Sequence, residues 1–171
     1  NFSTEGFPRT DSDVYGNRIE HVWDDTIEAE GANENVRIFG NYLGESYMKI
    51  GVRTTSIGPL YVFRNVAAES RKTSEAWDSV DRGAFLKAGA RADDPRGGKT
   101  YVFHNTLLQP LDGAVATGCR RGVDTGGLLL EHLVTRNNIF QVSGPSSYAF
   151  RCGEPCSPTN DLDFDLYNDS I

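Results

Sequence analysis

Pro59-Leu60-Tyr61-Val62-Phe63-Arg64-Asn65-Val66 decides how this chain folds, because it recurs. It returns as Lys99-Thr100-Tyr101-Val102-Phe103-His104-Asn105-Thr106. An earlier copy is Asn35-Val36-Arg37-Ile38-Phe39-Gly40-Asn41-Tyr42, and a later one is His132-Leu133-Val134-Thr135-Arg136-Asn137-Asn138. A weaker copy, Asp13-Val14-Tyr15-Gly16-Asn17-Arg18, opens the series. Leu162-Asp163-Phe164-Asp165-Leu166 closes it, with Asp165 standing for Asn. Each copy is an extended apolar run ending in an amide or acid. Taking Asn17, Asn41, Asn65, Asn105, Asn137 and Asp165 as anchors gives spacings of 24, 24, 40, 32 and 28 residues. The shortest spacing sets the unit, and the longer ones read as that unit plus insertions. A unit of this length, with β-branched runs and no sustained helical period, predicts an all-β solenoid of about six coils. Stacked coils lie about 4.8 Å apart, so the anchors are expected to form a ladder of side-chain amides.

Period two sorts the side chains. The β-branched column Val14, Ile38, Val62, Val102, Val134 and Leu162 is expected inside, with Val36, Leu60 and Thr100 beside it. Phe39, Phe63 and Phe103 then face outward, flanked by Arg37, Tyr61, Tyr101 and Leu133. Just before the anchors come Arg64, His104 and Arg136, an expected basic column along an aromatic face. Second strands are expected at Ile27-Glu28-Ala29-Glu30, Met48 to Arg53, Ala84 to Ala88 and Tyr148 to Arg151. Aligning Ile27 with Ile50 sets Glu28 on Gly51 and predicts a Glu30–Arg53 pair. Residues 70–80 read as a short helix, residues 112–127 as a looser stretch, and residues 1–12 as a loop or covering arm.

The 171 residues suffice for one domain with a core, and 18 Gly suit many tight turns. A net charge of −7 disfavours nucleic acid and anionic membranes as partners. No apolar run approaches the roughly 20 residues of a membrane span. The chain begins with Asn and reads as a mature chain or an excised fragment. The three cysteines are Cys119, Cys152 and Cys156. Either Cys152–Cys156 or Cys119–Cys152 is open as a pairing. Their spacing suits no cysteine metal site. Sequons at Asn1 and Asn168 favour export.

The Val-x-Ile/Val-x-x-Asn pattern, running from Val14 to Tyr167, resembles the right-handed parallel β-helix repeat family of pectate-lyase-like and other polysaccharide-active proteins. The resemblance implies a single-stranded right-handed parallel β-helix of about six coils, one domain over residues 1–171; with nothing visible to cap the last coil, it is expected to belong to a longer chain or assembly. It implies a secreted or periplasmic carbohydrate-active protein. That family spans lyases, glycoside hydrolases, epimerases, adhesins and structural repeats, so fold alone does not choose among them.

Three groups carry the chemistry. Arg64, His104 and Arg136 suit β-elimination of a uronate polymer: the forked arginine donors neutralise the carboxylate, and His104 takes the proton. An exterior ladder balancing nearby acids explains the same residues. Asp24, Asp25 and Glu28, with Glu30, could hold Ca²⁺ or supply an acid–base pair for hydrolysis. A turn at Asp24-Asp25 followed by solvated outer glutamates is the other reading, favoured because acidic turns are common. Tyr61, Tyr101 and Lys49 are the expected substrate contacts, with Lys49, Lys87 and Tyr148 as further base candidates. A covering loop or subunit is the other reading of the aromatic face. Against all of these stands a non-catalytic, structural or adhesive segment that stacks on another chain at its last coil.

Overall fold

A computed structural model describes residues 6–53, 55–70, 83–108, 119–125, 128–142, 148–150 and 157–167, with backbone alone at 69–70, 119–121 and 124. The described residues are all-β, in three parallel sheets. The first sheet stacks β1 (Asp13–Tyr15), β4 (Val36–Phe39), β7 (Leu60–Phe63), β10 (Thr100–Phe103), β13 (Leu133–Arg136) and β16 (Asp161–Leu162). The second stacks β2 (Arg18–Ile19), β5 (Tyr42–Ser46), β8 (Val66–Ser70), β11 (Thr106–Leu108), β14 (Ile139–Gln141) and β17 (Leu166–Tyr167). The third stacks β3 (Asp25–Glu28), β6 (Met48–Gly51), β9 (Gly83–Lys87), β12 (Cys119–Asp124) and β15 (Tyr148–Phe150). The chain visits the three sheets in turn and returns one strand along, an arrangement compatible with a parallel β-helix.

The recurring run makes the first sheet. Val36, Leu60, Thr100 and Leu133 form one inward column, and Val14, Ile38, Val62, Val102, Thr135 and Leu162 another. Ile38, Val62 and Val102 are fully buried. Each such side chain contributes about 1.5–3 kcal/mol. Opposite them, Leu43, Ala67, Leu107 and Phe140 bury from the second sheet, and Ile50, Leu86 and Val123 from the third, closing one core.

The amide ladder lies at the bend between the first two sheets. Each Asn gives its backbone N–H and its side-chain amide to the next anchor's oxygen: Asn17 to Asn41, Asn41 to Asn65, Asn65 to Asn105, at 3.0–3.1 Å. The amide's second hydrogen reaches a carbonyl of the previous rung, as Asn65 does to Ile38 and Asn105 to Val62. Buried polar groups must be paired, and these amides pair one another.

Four expectations need correction. The fifth anchor is Asn138, not Asn137: Asn105 donates to Asn138, which donates to Asp165. Asn137 instead takes the left-handed bend (φ 55°) occupied elsewhere by Gly16, Gly40, Arg64 and His104. That one-residue slip exchanges faces, so Leu133 and Thr135 are buried while Val134 and Arg136 point outward. Second, residues 112–127 hold β12, paired with β9 and β15. Third, Glu30 pairs with Lys87 and Arg53 with Asp94, each at 3.5 Å, rather than with each other. Fourth, part of the presumed arm adds to the stack: Thr10 bridges Glu34 in parallel, and Phe7 N–H donates to the Glu30 carbonyl. The expected helix falls almost wholly on residues 71–82, outside the described residues, as do Cys152, Cys156 and the side chain of Cys119.

Candidate functional site

On the third sheet, the Ile27–Ile50–Leu86 alignment carries Glu28, Gly51 and Lys87 into one column on successive rungs. Gly51 leaves a notch there, which the Asp25 carboxylate packs into. A Cβ at that position would stand 2.5 Å from Asp25 Oδ2 and 3.1 Å from Glu28 Oε2. Across the notch comes Lys87, whose ammonium contacts Asp25 Oδ2 directly and lies 3.5 Å from Glu30 Oε1 and 4.0 Å from Glu28 Oε1. The carboxylates of Asp25, Glu28 and Glu30 offer oxygens within 4.8 Å of one another.

Their exposures differ. The Asp25 side chain is fully buried and that of Glu30 nearly so, whereas Glu28 is half exposed and Lys87 one-third exposed. Burial pushes the Asp25 carboxyl up to about 7; Lys87 pulls it back in part, and the charges of Glu28 and Asp24 push with the burial. Burial lowers Lys87, but contact with Asp25 and the nearby charges of Glu28 and Glu30 outweigh it, leaving its ammonium held above the ordinary value. Asp25 Oδ1 is buried with no hydrogen-bond partner among the described residues. The notch thus joins a buried carboxyl whose hold on its proton is strengthened to the half-exposed carboxylate of Glu28. This is the arrangement acid–base chemistry requires. Asp25, Glu28 and Glu30 are also oxygen donors of the kind a divalent cation takes. Lys87 already places a positive charge among them.

The other expected site residues sit apart from this notch. Arg64 and His104 are neighbours in the exposed bend between the first and second sheets. Arg136 does not continue their column. It stands in register with Phe103, and its guanidinium bonds Asp161 Oδ2 at 2.5 Å and the Thr135 carbonyl at 2.6 Å. The presumed basic column is therefore two residues long. Asp24 is exposed. Lys49 is fully buried, its ammonium 3.2 Å from Ser46 Oγ, on no open surface.

Tyr15, Phe39, Phe63 and Phe103 stack at 4.8–5.0 Å with rings within 9° of parallel. Tyr61 and Tyr101 stack beside them at 5.3 Å. Rings stacked along the column spend their faces on each other and turn edges to solvent. A sugar stacks on a face, so this ladder is a packing device rather than a platform. Reading the sequence one column at a time missed the link from Asp25 to Lys87. Extending the Ile27–Ile50 alignment one rung to Leu86 exposes it.

Neither models of known protein families nor curated proteins nor solved structures yield a match to this chain.

Proposed function

We propose that this protein is an extracellular carbohydrate-active parallel β-helix, right-handed and pectate-lyase-like in architecture, that cleaves a polysaccharide by hydrolysis at the third-sheet notch. The observation that carries the reading is the fully buried Asp25 carboxyl, whose pKa burial raises, beside the solvent-facing carboxylate of Glu28 above Gly51. Asp25 donates its proton to the glycosidic oxygen as that bond breaks, and Glu28 bonds to the anomeric carbon; water then gives a proton back to the Asp25 carboxylate and displaces Glu28, releasing the sugar. Oxygens of the two carboxyl groups lie within 4.8 Å. That bound lies below the roughly 6.5–9.5 Å of inverting pairs, which need room for a water between the carboxyl groups. Lys87 covers Asp25, so substrate reaches the carboxyl as Lys87 swings aside. The uronate-lyase reading has less to stand on, because Arg136 leaves the column of Arg64 and His104 and is held by Asp161.

Reducing-end release on a panel of polysaccharides tests this. Cleavage that disappears in both Asp25→Asn and Glu28→Gln supports it; an unchanged rate in either sinks it. Unsaturated, ultraviolet-absorbing products would restore the lyase. A second reading, a non-catalytic segment that stacks on another chain, is favoured by Phe164 and Leu166, exposed at 72 % and 65 % on the last described rung. Concentration-dependent association with no activity on any polymer would favour that reading.

A further inference from the structure

Beyond the notch, where the chain turns from the third sheet toward the first, lies a cavity of about 30 Å³. Val52 and Arg53 line it directly after Gly51, and Ala88 directly after Lys87. Its lining runs from exposed Arg96 and Gly97 to buried Val52, Ala88, Ala90 and Leu130, so it opens at the surface and ends in methyl groups. That volume holds about two or three water-sized atoms, the tip of a substituent rather than a sugar ring. One donor in the lining lacks an acceptor. Arg53 Nε is buried without a hydrogen-bond partner among the described residues; Asp94 Oδ2, 3.5 Å away, balances its charge without bonding it. Its neighbours are committed elsewhere. Thr55 and Thr100 bond each other at 2.7 Å, and Arg96 pairs with Glu131 at 2.6 Å and donates to the Arg91 carbonyl at 2.7 Å. A buried donor left unbonded is costly, and an oxygen arriving in the cavity removes that cost.

The charges decide what kind of oxygen that is. Each arginine already faces a carboxylate, Arg53 with Asp94 and Arg96 with Glu131. An anion would gain Arg53 and meet Asp94, whereas a neutral carbonyl gains the donor alone. The methyl groups at the floor select an apolar group beside that carbonyl. A carbonyl joined to a methyl is the acetyl end of an acetamide. We propose that this cavity is an acetamido subsite and that the polymer recognised here carries N-acetylated sugars. The acetyl oxygen accepts from Arg53 Nε, and the methyl packs on Val52, Ala88 and Ala90. Residues two apart along extended chain lie roughly 6.5 Å apart, so Arg53 stands about one sugar ring from Gly51. A neutral polymer also approaches a body of net charge −7 without repulsion. This rests on the carbohydrate-active reading above and names its substrate class.

Calorimetric titration of the full chain with oligomers of N-acetylglucosamine and of N-acetylgalactosamine, each against the glucose or galactose oligomer of the same linkage and length, tests it. In at least one pair the acetylated oligomer is expected to bind about tenfold tighter or more, the scale of one hydrogen bond to a charged group. Arg53→Met keeps the apolar stem, removes the donor and should erase the difference. Arg91→Met, at an exposed arginine on the loop that carries Asp94, should preserve it. In the parent chain, nuclear Overhauser contacts should join the acetyl methyl to the methyls of Val52 and Ala88, a readout that stands even where Arg53→Met does not fold. Equal affinity within both pairs overturns the proposal. So does a preference that survives Arg53→Met or falls equally in Arg91→Met, or an acetyl methyl without contact to Val52 and Ala88. Cleavage of polymers without acetamido preference removes the subsite and leaves hydrolysis standing. Acetamido binding without cleavage of any polymer does the reverse.

Discussion

Asn138 gives its backbone N–H and its side-chain amide to one oxygen of Asp165, at 2.7 and 2.8 Å, while the other oxygen of Asp165 is buried without a donor among the described residues. In the rungs before it, the matching atom is an amide nitrogen that donates to a carbonyl one rung back, as Asn138 itself does to Val102. Asp165 sets an acceptor where the ladder elsewhere has a donor. Asp165→Asn restores the donor toward the Thr135 carbonyl. We expect a gain of about 1 kcal/mol, a rise of roughly 2–4 °C in thermal melting. A lower melting temperature would contradict this account of the last rung.

Asn65 sits mid-ladder with four side-chain hydrogen bonds: two accepted from Asn41, one given to Asn105 and one to Ile38. Asn65→Ala orphans buried partners on both sides and should cost about 3–5 kcal/mol. Asn17, exposed at the first rung, should cost only about 1 kcal/mol when replaced by Ala. Denaturant titration of the two variants compares them directly, and equal losses would mean that the ladder is not where the stability lies.

Gly51→Ala puts a methyl 2.5 Å from Asp25 Oδ2. Separating Asp25 from Lys87 and crowding Glu28 should cost about 1–3 kcal/mol. In an Asp25→Ser background the same change should be nearly neutral, because its obstacle is gone. A double-mutant cycle on melting temperature reads the coupling; additive losses would show that Gly51 serves something other than the notch.

Asp25 holds its proton more tightly folded, at about 7, than at its ordinary 3.8. Between those values the native chain binds more protons than the unfolded one. The contribution of Asp25 is therefore complete below about pH 4 and is lost as pH rises through about 7. Unfolding free energy should decline over that window in the parent chain. In Asp25→Asn, denaturation curves at several pH values should show this decline flattened, and an unchanged slope would remove Asp25 as its source.

Much of this was legible in the repeat. The columns Val36–Leu60–Thr100 and Ile38–Val62–Val102 are inward as their chemistry indicates, and Ile27 does lie on Ile50. The slip at Asn137-Asn138 came from weighing Val134 as the β-branched core residue. Backbone conformation was the better guide. The residue before each anchor is left-handed, a role that Gly takes first and Asn most readily after it. An Asn-Asn doublet therefore supplies the bend and then the anchor. β12 was hidden because Arg120-Arg121-Gly122 lacks the apolar alternation of a strand; its place is set by β9 and β15 on either side. The notch was hidden because its members lie on three rungs, and only register joins them.

Between successive ladder residues the chain spends 24, 24, 40, 33 or 27 residues, yet the amide-to-oxygen distance stays between 2.8 and 3.0 Å throughout. The ladder counts turns and is indifferent to how much polypeptide each turn consumes. Loops may lengthen, shorten or be exchanged wholesale without disturbing the alignment of anything else. That makes the stack a chassis on which recognition can be rewritten one loop at a time. The anchor-to-anchor bonds also run one way, each amide giving to the next anchor's oxygen, so the stack has a built-in direction of travel.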